Sequence, residues 1–387
     1  MKFLLDFLNK EKKKYEKGGK LEKIEPLFDA GDMFLFTPPT VTEKGAHVRD
    51  AVDLKRVMIT VIWGIFPCFL FGIWNAGHQY NISTVGASAG FMADIIRGLI
   101  IMLPVVIVSY GVGGFWEVLF ACIRKHEVNE GLLVTGLLFP LVLPPTIPLW
   151  QVAVGVSFGI VIGKEIFGGT GMNIVNPALM SRAFIFFAYS KYMSGDVWIA
   201  AEERVAAYSG ATPLGILADL PEGMTAVSAL NEAGFSFSRM AIGNMPGCLG
   251  ETSAVMCLLG AILLLVTGVA SWRIMLSCVL GLLGTAFLAN IIGSEGASQI
   301  PPHYHLVMGG FAFGAAFMAT DPVSGAATNM GKWTYGFLIG FLVVIVRVVN
   351  PAYPEGTMLA ILFMNVMAPM IDNFVVESHV KRRAKRG

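Results

Sequence analysis

The chain has 387 residues, of which 55% are hydrophobic and only 14% charged, and its formal net charge is +1. Soluble domains carry about 25% charged residues, so this composition excludes an ordinary soluble protein and points to a chain that crosses a membrane many times. The net charge itself says little about partners, and no nucleic acid is expected among them.

Charge placement says more. Of 28 Lys and Arg, 12 lie in residues 1–56 and 5 in residues 381–387. Both termini therefore read as cytoplasmic, which requires an even number of spans. The opening "MKFLLDFLNKEKKKYEKGGK" lacks the apolar stretch and cleavage site of a secretory signal. Residues 1–56 read instead as a basic, amphipathic cytoplasmic segment suited to an anionic leaflet or a neighbouring protein of a complex.

A hydrocarbon core about 30 Å thick needs roughly 20 apolar residues as helix. Five candidate spans follow in residues 57–190, at about 57–76, 95–123, 131–144, 148–164 and 175–190. The third is short and ends at "LPPTIP". A long polar loop, 191–251, separates them from five more in residues 252–376: 252–269, 273–292, 304–320, 333–349 and 356–376. The eighth runs into "TDPVSGAATN", and a basic tail, 377–387, closes the chain. With the N-terminus inside, "RKHEVNE" (124–130), "GKE" (163–165), "SWR" (271–273) and "NMGKW" (329–333) all fall inside. Loops 77–94 and 293–303 fall outside and hold no Lys or Arg. "VNPA" occurs at 175–178 and again at 349–352, each time at the start of the fifth span of its half. Five spans per half is odd, so the halves would be inverted repeats. The expected fold is an all-α polytopic membrane protein with about ten transmembrane helices in a five-plus-five inverted repeat.

Ionisable residues inside a membrane are costly and point to function or pairing. Glu117, Arg182, Arg347, Asp321 and Asp372 form that inventory. Glu117, Asp321 and Asp372 fall toward the cytoplasmic side, where carboxylates suit a small hard cation or a proton. Interfacial placement explains Glu117 and Asp372 equally well, and helix capping explains Asp321. "FGGTGMNIVNPA" (167–178) breaks the chain before the fifth span; Asn173 and Asn176 there can face a planar polar ligand or simply cap a turn. In "MPGCLGETSAV" (245–255), Glu251, Thr252 and Ser253 open the sixth span, where a helix N-terminus holds a phosphate or is merely capped. The five cysteines show no metal-ligand spacing, and no metal site within the chain is expected. "YSGATPLG" (208–215) offers a second hydroxyl with two readings: Thr212 capping a helix opened by Pro213, or Thr212 as an attachment point.

"HVRDAVDLKRVM" (47–58), "GGFWEVLF" (113–120), "GKEIFGGTGMNIVNPAL" (163–179), "SGAT" (209–212), "FMATDPVS" (317–324) and "RVVNPAYPEG" (347–356) occur in order over essentially the whole chain. Together they closely resemble the B subunit of the bacterial sodium-translocating NADH:quinone oxidoreductase, a translocase of the inner membrane. The resemblance implies FMN held by a phosphoester on Thr212 within Ser209, Gly210, Ala211 and Thr212. It also implies a non-covalent riboflavin and a quinone site at Gly113, Gly114, Phe184 and Phe186. Sodium-linked acids would be Glu117, Asp321 and Asp372, and the fold would be similar to urea and ammonium channels. Asn173 and Asn176 are our candidates for the riboflavin pocket, and Glu251 and Thr252 for cofactor contact. Electrons from NADH would pass through the FMN and riboflavin to quinone, coupled to Na+ export. Partners would be a subunit with the NADH site, FAD and iron–sulfur centre, and a second FMN subunit. The D subunit of the Rnf complex shares SGAT and the fold; the long basic N-terminal extension separates the two. A plain solute channel would explain the spans but not SGAT in an external loop.

Overall fold

The computed structural model describes residues 54–86, 88–125, 128, 130–201, 210–220, 223–293, 296–350, 353 and 355–385, with Phe28 and Gly45 in isolation. The basic segment 1–53 otherwise lies outside the described residues, as does Ser209. Among the described residues every regular element is helical.

Among the described residues six helices are long and apolar enough to cross a membrane. They are α1 (Leu54–Val85), α2 (Phe91–Arg124), α4 (Leu149–Val161, continued by turns to Phe167), α10 (Trp272–Ile292), α13 (Asn329–Val349) and α14 (Thr357–Ala384). The sequence expectation was ten. Three further apolar helices, α3 (Gly131–Leu141), α5 (Pro177–Ala188) and α9 (Ala254–Val266), are shorter. At 1.5 Å per residue they reach about 16–20 Å, less than the core of a bilayer. The eighth segment is broken into α11 (Tyr304–Val307), α12 (Phe311–Phe313) and a π turn, Gly314–Met318.

The breaks have local causes. Pro140 sits in the last turn of α3, and Pro144-Pro145 follow, so the backbone donors that would extend the helix are missing. Between α11 and α12 Gly309 has φ +62°, a left-handed conformation that favours glycine. The helix α1 runs on to Val85 and α2 starts at Phe91, so most of the stretch read as the loop 77–94 is helical. These two helices cross backbone to backbone: a Cβ on Gly77 would collide with the Asp94 carbonyl, and one on Gly98 with the Ile73 carbonyl. Small residues at such crossings replace the hydrophobic drive that lipid does not supply.

The outward faces are apolar, for example Leu99, Leu103 and Ile107 on α2 and Leu258, Ile262 and Val266 on α9. That is the surface a hydrocarbon solvent requires. The core joins both halves of the chain, from Ile65 and Met102 through Phe139 to Phe313, Tyr335 and Ile361. A second, smaller core lies in the stretch between the halves. There α6 (Pro213–Ala218), α7 (Ala226–Glu232) and α8 (Phe237–Ile242) pack Leu214, Leu230 and Met240 against Ile300 and Met308. Each of these short helices opens with a side-chain cap, from Thr212, Thr225 and Ser236 respectively.

Candidate functional site: two cavities at opposite ends of the bundle

Thr212 is half-buried, and its Oγ1 accepts the Gly215 N–H at 3.1 Å. The capping reading of this residue is therefore realised. The cap uses the oxygen as acceptor and leaves the hydroxyl hydrogen uncommitted to it. Ala211 and Thr212 border a cavity of about 320 Å³. Its apolar wall includes Phe186, Met193, Trp198 and Met245, and its mouth is formed by exposed Ser194, Gly195 and Asp219. Glu251 and Thr252, selected from a different motif, line the same cavity.

The floor is a buried polar cluster assembled from distant segments. Arg182 on α5 donates from Nε to the Val142 carbonyl (2.8 Å) and from Nη1 to the Tyr353 hydroxyl (3.2 Å). Arg347 on α13 donates to the carbonyls of His305 (2.7 Å), Met308 (2.8 Å) and Glu355 (3.3 Å). Glu355 Oε1 accepts the Gly310 N–H at 2.9 Å. The Thr252 hydroxyl accepts from Asn75 on α1, which also donates to the Met245 carbonyl, so α1 fixes this loop. Glu251 is 5% exposed, and its Oε2 has no hydrogen-bond partner. Burial first, then the Glu355 charge, pushes its carboxyl up to about 7, against the opposing pull of Arg182. Burial likewise raises the Tyr353 hydroxyl to about 12 and the Cys248 thiol well above its ordinary value.

A smaller cavity of about 80 Å³ is lined by Asn173, Asn176, Lys164, Thr170 and Asp321. Both amides are engaged locally. Asn176 Oδ1 accepts the N–H groups of Ala178 and Leu179 and so caps α5. Asn173 accepts from Gly171 and donates to Val175. Asp321 accepts from the Val323 N–H (3.1 Å) and the Ser324 hydroxyl (2.7 Å).

Glu117 forms a buried ion pair with Lys164, which comes from the turn after α4. Its neighbour Glu165 pairs with Arg124 at 3.3 Å. Sequence reasoning treated "GKE" as a cytoplasmic loop marker; both charged residues are in fact buried against the end of α2. Asp372 accepts the Ala327 N–H (2.7 Å), the Thr328 N–H (3.0 Å) and the Thr328 hydroxyl (2.5 Å), so it closes the N-terminus of α13.

Of the four residues expected at the quinone, Phe186 lines the cavity beside Thr212. A Cβ on Gly113 would meet Ile160 at 2.9 Å and Leu132 at 3.0 Å, whereas one on Gly114 would meet only Leu132, at 3.6 Å. Phe184 stacks on Phe158 with ring centroids 4.2 Å apart. Phe186 packs edge-on against Tyr353 beside the cavity at Thr212. Lys164, Tyr353 and Glu355 escaped the sequence reading, as did Asp94. Buried Asp94 lies 2.7 Å from His78 Nδ1 and accepts from Asn81 at 2.7 Å. Its position in an apparent loop hid it.

The chain matches the NQR2, RnfD, RnfE family over residues 41–381. It is 50% identical to the B subunits of the Na(+)-translocating NADH-quinone reductases of Ectopseudomonas mendocina and Stutzerimonas stutzeri, and 49% identical to that of Azotobacter vinelandii. In each case the match covers 98% of both chains. A family match over most of the chain, joined by near-full-length relatives at half identity, means that the chain belongs to the NQR2, RnfD, RnfE family.

Proposed function

We propose that the chain is the B-type membrane subunit of a redox-driven sodium pump in the bacterial inner membrane, carrying electrons that originate in NADH toward quinone. The observation that carries this reading is Thr212 at the edge of the outer cavity, within a chain half identical to known B subunits over nearly its whole length.

The residues around Thr212 fit FMN. A volume of about 320 Å³ reaches the range of ligand pockets, about 300–1,000 Å³, and the wall mixes apolar side chains with a few convergent polar groups. Esterification would replace the hydroxyl hydrogen of Thr212 and leave the capping oxygen in place. Bound flavin supplies an electron carrier that works in one- or two-electron steps. Thr212 tethers it, and the buried arginines offset negative charge in a low-dielectric site. The inner cavity, at about 80 Å³, is below that range and too small for riboflavin as it stands, and the Oδ1 atoms of Asn173 and Asn176 already accept backbone N–H groups. On the same inner side, Asp321 lines the cavity and Glu117 adjoins it through Lys164, while Asp372 holds the segment that follows Asp321. This grouping supports an inner cation path through the three acids. Gly113, Gly114, Phe184 and Phe186 remain our quinone residues.

The finer fold reading is a five-plus-five inverted repeat with both termini cytoplasmic, the halves being 57–190 and 252–376. Helix packing supports it. In the first half α2 packs on α4, α4 on α5, and α3 on α1 and α5. In the second half α10 packs on α13, α13 on α14, and the broken eighth segment on α9 and α14. The halves meet through their equivalent helices, α1 with α9 and α5 with α14. The peptide spanning 209–215 from purified complex tests the cofactor assignment. It should carry the mass of FMN, and Thr212→Ala should abolish the flavin fluorescence of this chain on a denaturing gel. A bare peptide from active complex overturns the assignment.

A further inference from the structure

We propose that Glu251 is the proton-accepting group of the outer cavity, its unpartnered carboxylate oxygen taking a proton from external water when negative charge is delivered there. This rests on the reading that the cavity beside Thr212 receives electrons.

The geometry isolates one oxygen. Glu251 Oε2 is buried and lacks a hydrogen-bond donor, and it faces Gly310, where a Cβ would collide with it. The titratable and charged groups around it are Arg182 from α5, Cys248 from its own loop, Tyr353 and Glu355 from the turn before α14, and Arg347 from α13, with His305 of α11 beside Arg347. The hydrogen bonds of the two guanidinium groups go to carbonyls, to Tyr353 and, from Arg182 Nη2, to the Cys248 sulfur at 4.0 Å. Two carboxylates thus share a buried site with two cations that are already engaged. Glu355 has the Gly310 N–H to support its charge, and Glu251 Oε2 has nothing. Glu251 is held by the Cys248 thiol and keeps its second oxygen free of any donor, so of the two carboxylates it is the one placed to take the proton. Its carboxyl stands at about 7, so it exchanges that proton near neutrality.

The charge balance is simple. One electron enters the cavity from NADH oxidation, and one proton enters from external water through the mouth at Ser194, Gly195 and Asp219. An O–H bond forms at Oε2, and the net charge of the cavity is unchanged. When the electron leaves, the bond breaks and the proton returns to water. Without this compensation, a buried negative charge would be strongly disfavoured.

The test is a redox titration of the covalent flavin in the purified complex at several pH values. The wild-type midpoint potential should fall as pH rises through neutrality. Glu251→Gln should flatten that dependence, and Glu251→Asp should restore it with a shifted midpoint. An unchanged pH slope in Glu251→Gln overturns the proposal. So does a potential that responds to sodium instead of pH and loses that response in Glu251→Gln, because Glu251 would then bind the cation. A second arm is independent of the flavin. In Thr212→Ala complex, infrared spectroscopy should find a protonated carboxyl that titrates near neutral pH and disappears in the Thr212→Ala, Glu251→Gln double variant. Absence of that signal overturns the proposal, whereas a flavin-free peptide at 209–215 overturns only the functional reading.

Discussion

The Lys164 ammonium pairs with the Glu117 carboxylate inside the bundle, the two side chains being 3% and 4% exposed. Glu117 is thus paired with a cation that the protein itself supplies. Removing a single partner of a buried pair leaves an uncompensated charge, at a cost of about 3–5 kcal/mol. Lys164→Met and Glu117→Gln should each lower the thermal stability of the solubilised complex. The double variant should stand closer to wild type than Lys164→Met does. Additive losses would show that the two charges do not depend on each other.

Thr212 has two duties that substitution separates. Thr212→Ser keeps both the cap and the hydroxyl, so flavin attachment and folding should persist. Thr212→Asn keeps a good cap but offers no hydroxyl for an ester, so it should lose covalent flavin without loss of stability. Thr212→Ala should lose the flavin and also about 1 kcal/mol of local stability. Mass spectrometry of the 209–215 peptide, read beside protease resistance of the loop, distinguishes the three. Flavin retained in Thr212→Asn would move the attachment elsewhere.

Thr212 and Glu251 were legible because short motifs carry hydroxyls and carboxylates at helix starts, and local sequence fixes helix starts. The floor of the same cavity was not legible. Arg182, Arg347, Tyr353 and Glu355 come together only because the two halves pack on each other, and no local spacing encodes that packing. The burial of Lys164 was hidden for a related reason: nothing local in a charge next to glycine tells that α2 covers it. The apolar segments could be located from hydropathy. Their lengths could not, because Pro140, Gly309 and the π turn at Gly314–Met318 stop helices within apolar sequence.

Asp321 and Asp372 should differ in their response to sodium. Both carboxylates accept hydrogen bonds, Asp321 from Val323 and Ser324 and Asp372 from Ala327 and Thr328, but of the two it is Asp321 that lines the cavity. Removing a charge that attracts a cation lowers the local concentration of that cation. Asp321→Asn should therefore raise the sodium concentration needed for half-maximal quinone reduction several-fold. Asp372→Asn, which keeps an acceptor for the cap, should produce a smaller shift. Sodium titrations of turnover check this, and a curve that superimposes on wild type removes that residue from the ion path.

Glu251 also sets a pH dependence of stability. Its carboxyl stands at about 7 in the folded protein, against an ordinary 4.5. The folded state therefore holds more protons than the unfolded state between these values, and stability falls as pH rises through that window. Below it the carboxyl is protonated in both states and costs nothing; above it the full penalty of a buried charge is present. Glu251→Gln is neutral at every pH and escapes the penalty. At pH 8 the variant should melt at a higher temperature than wild type, by roughly 2–4 °C per kcal/mol relieved on the scale of a 150–250-residue domain. At pH 4.5 the two should melt together. Thermal melts of the solubilised complex at both pH values decide the matter. A Glu251→Gln variant that is less stable than wild type at pH 8 would mean that the charged carboxylate is held favourably, by Arg182 or Arg347, and that burial does not dominate its environment.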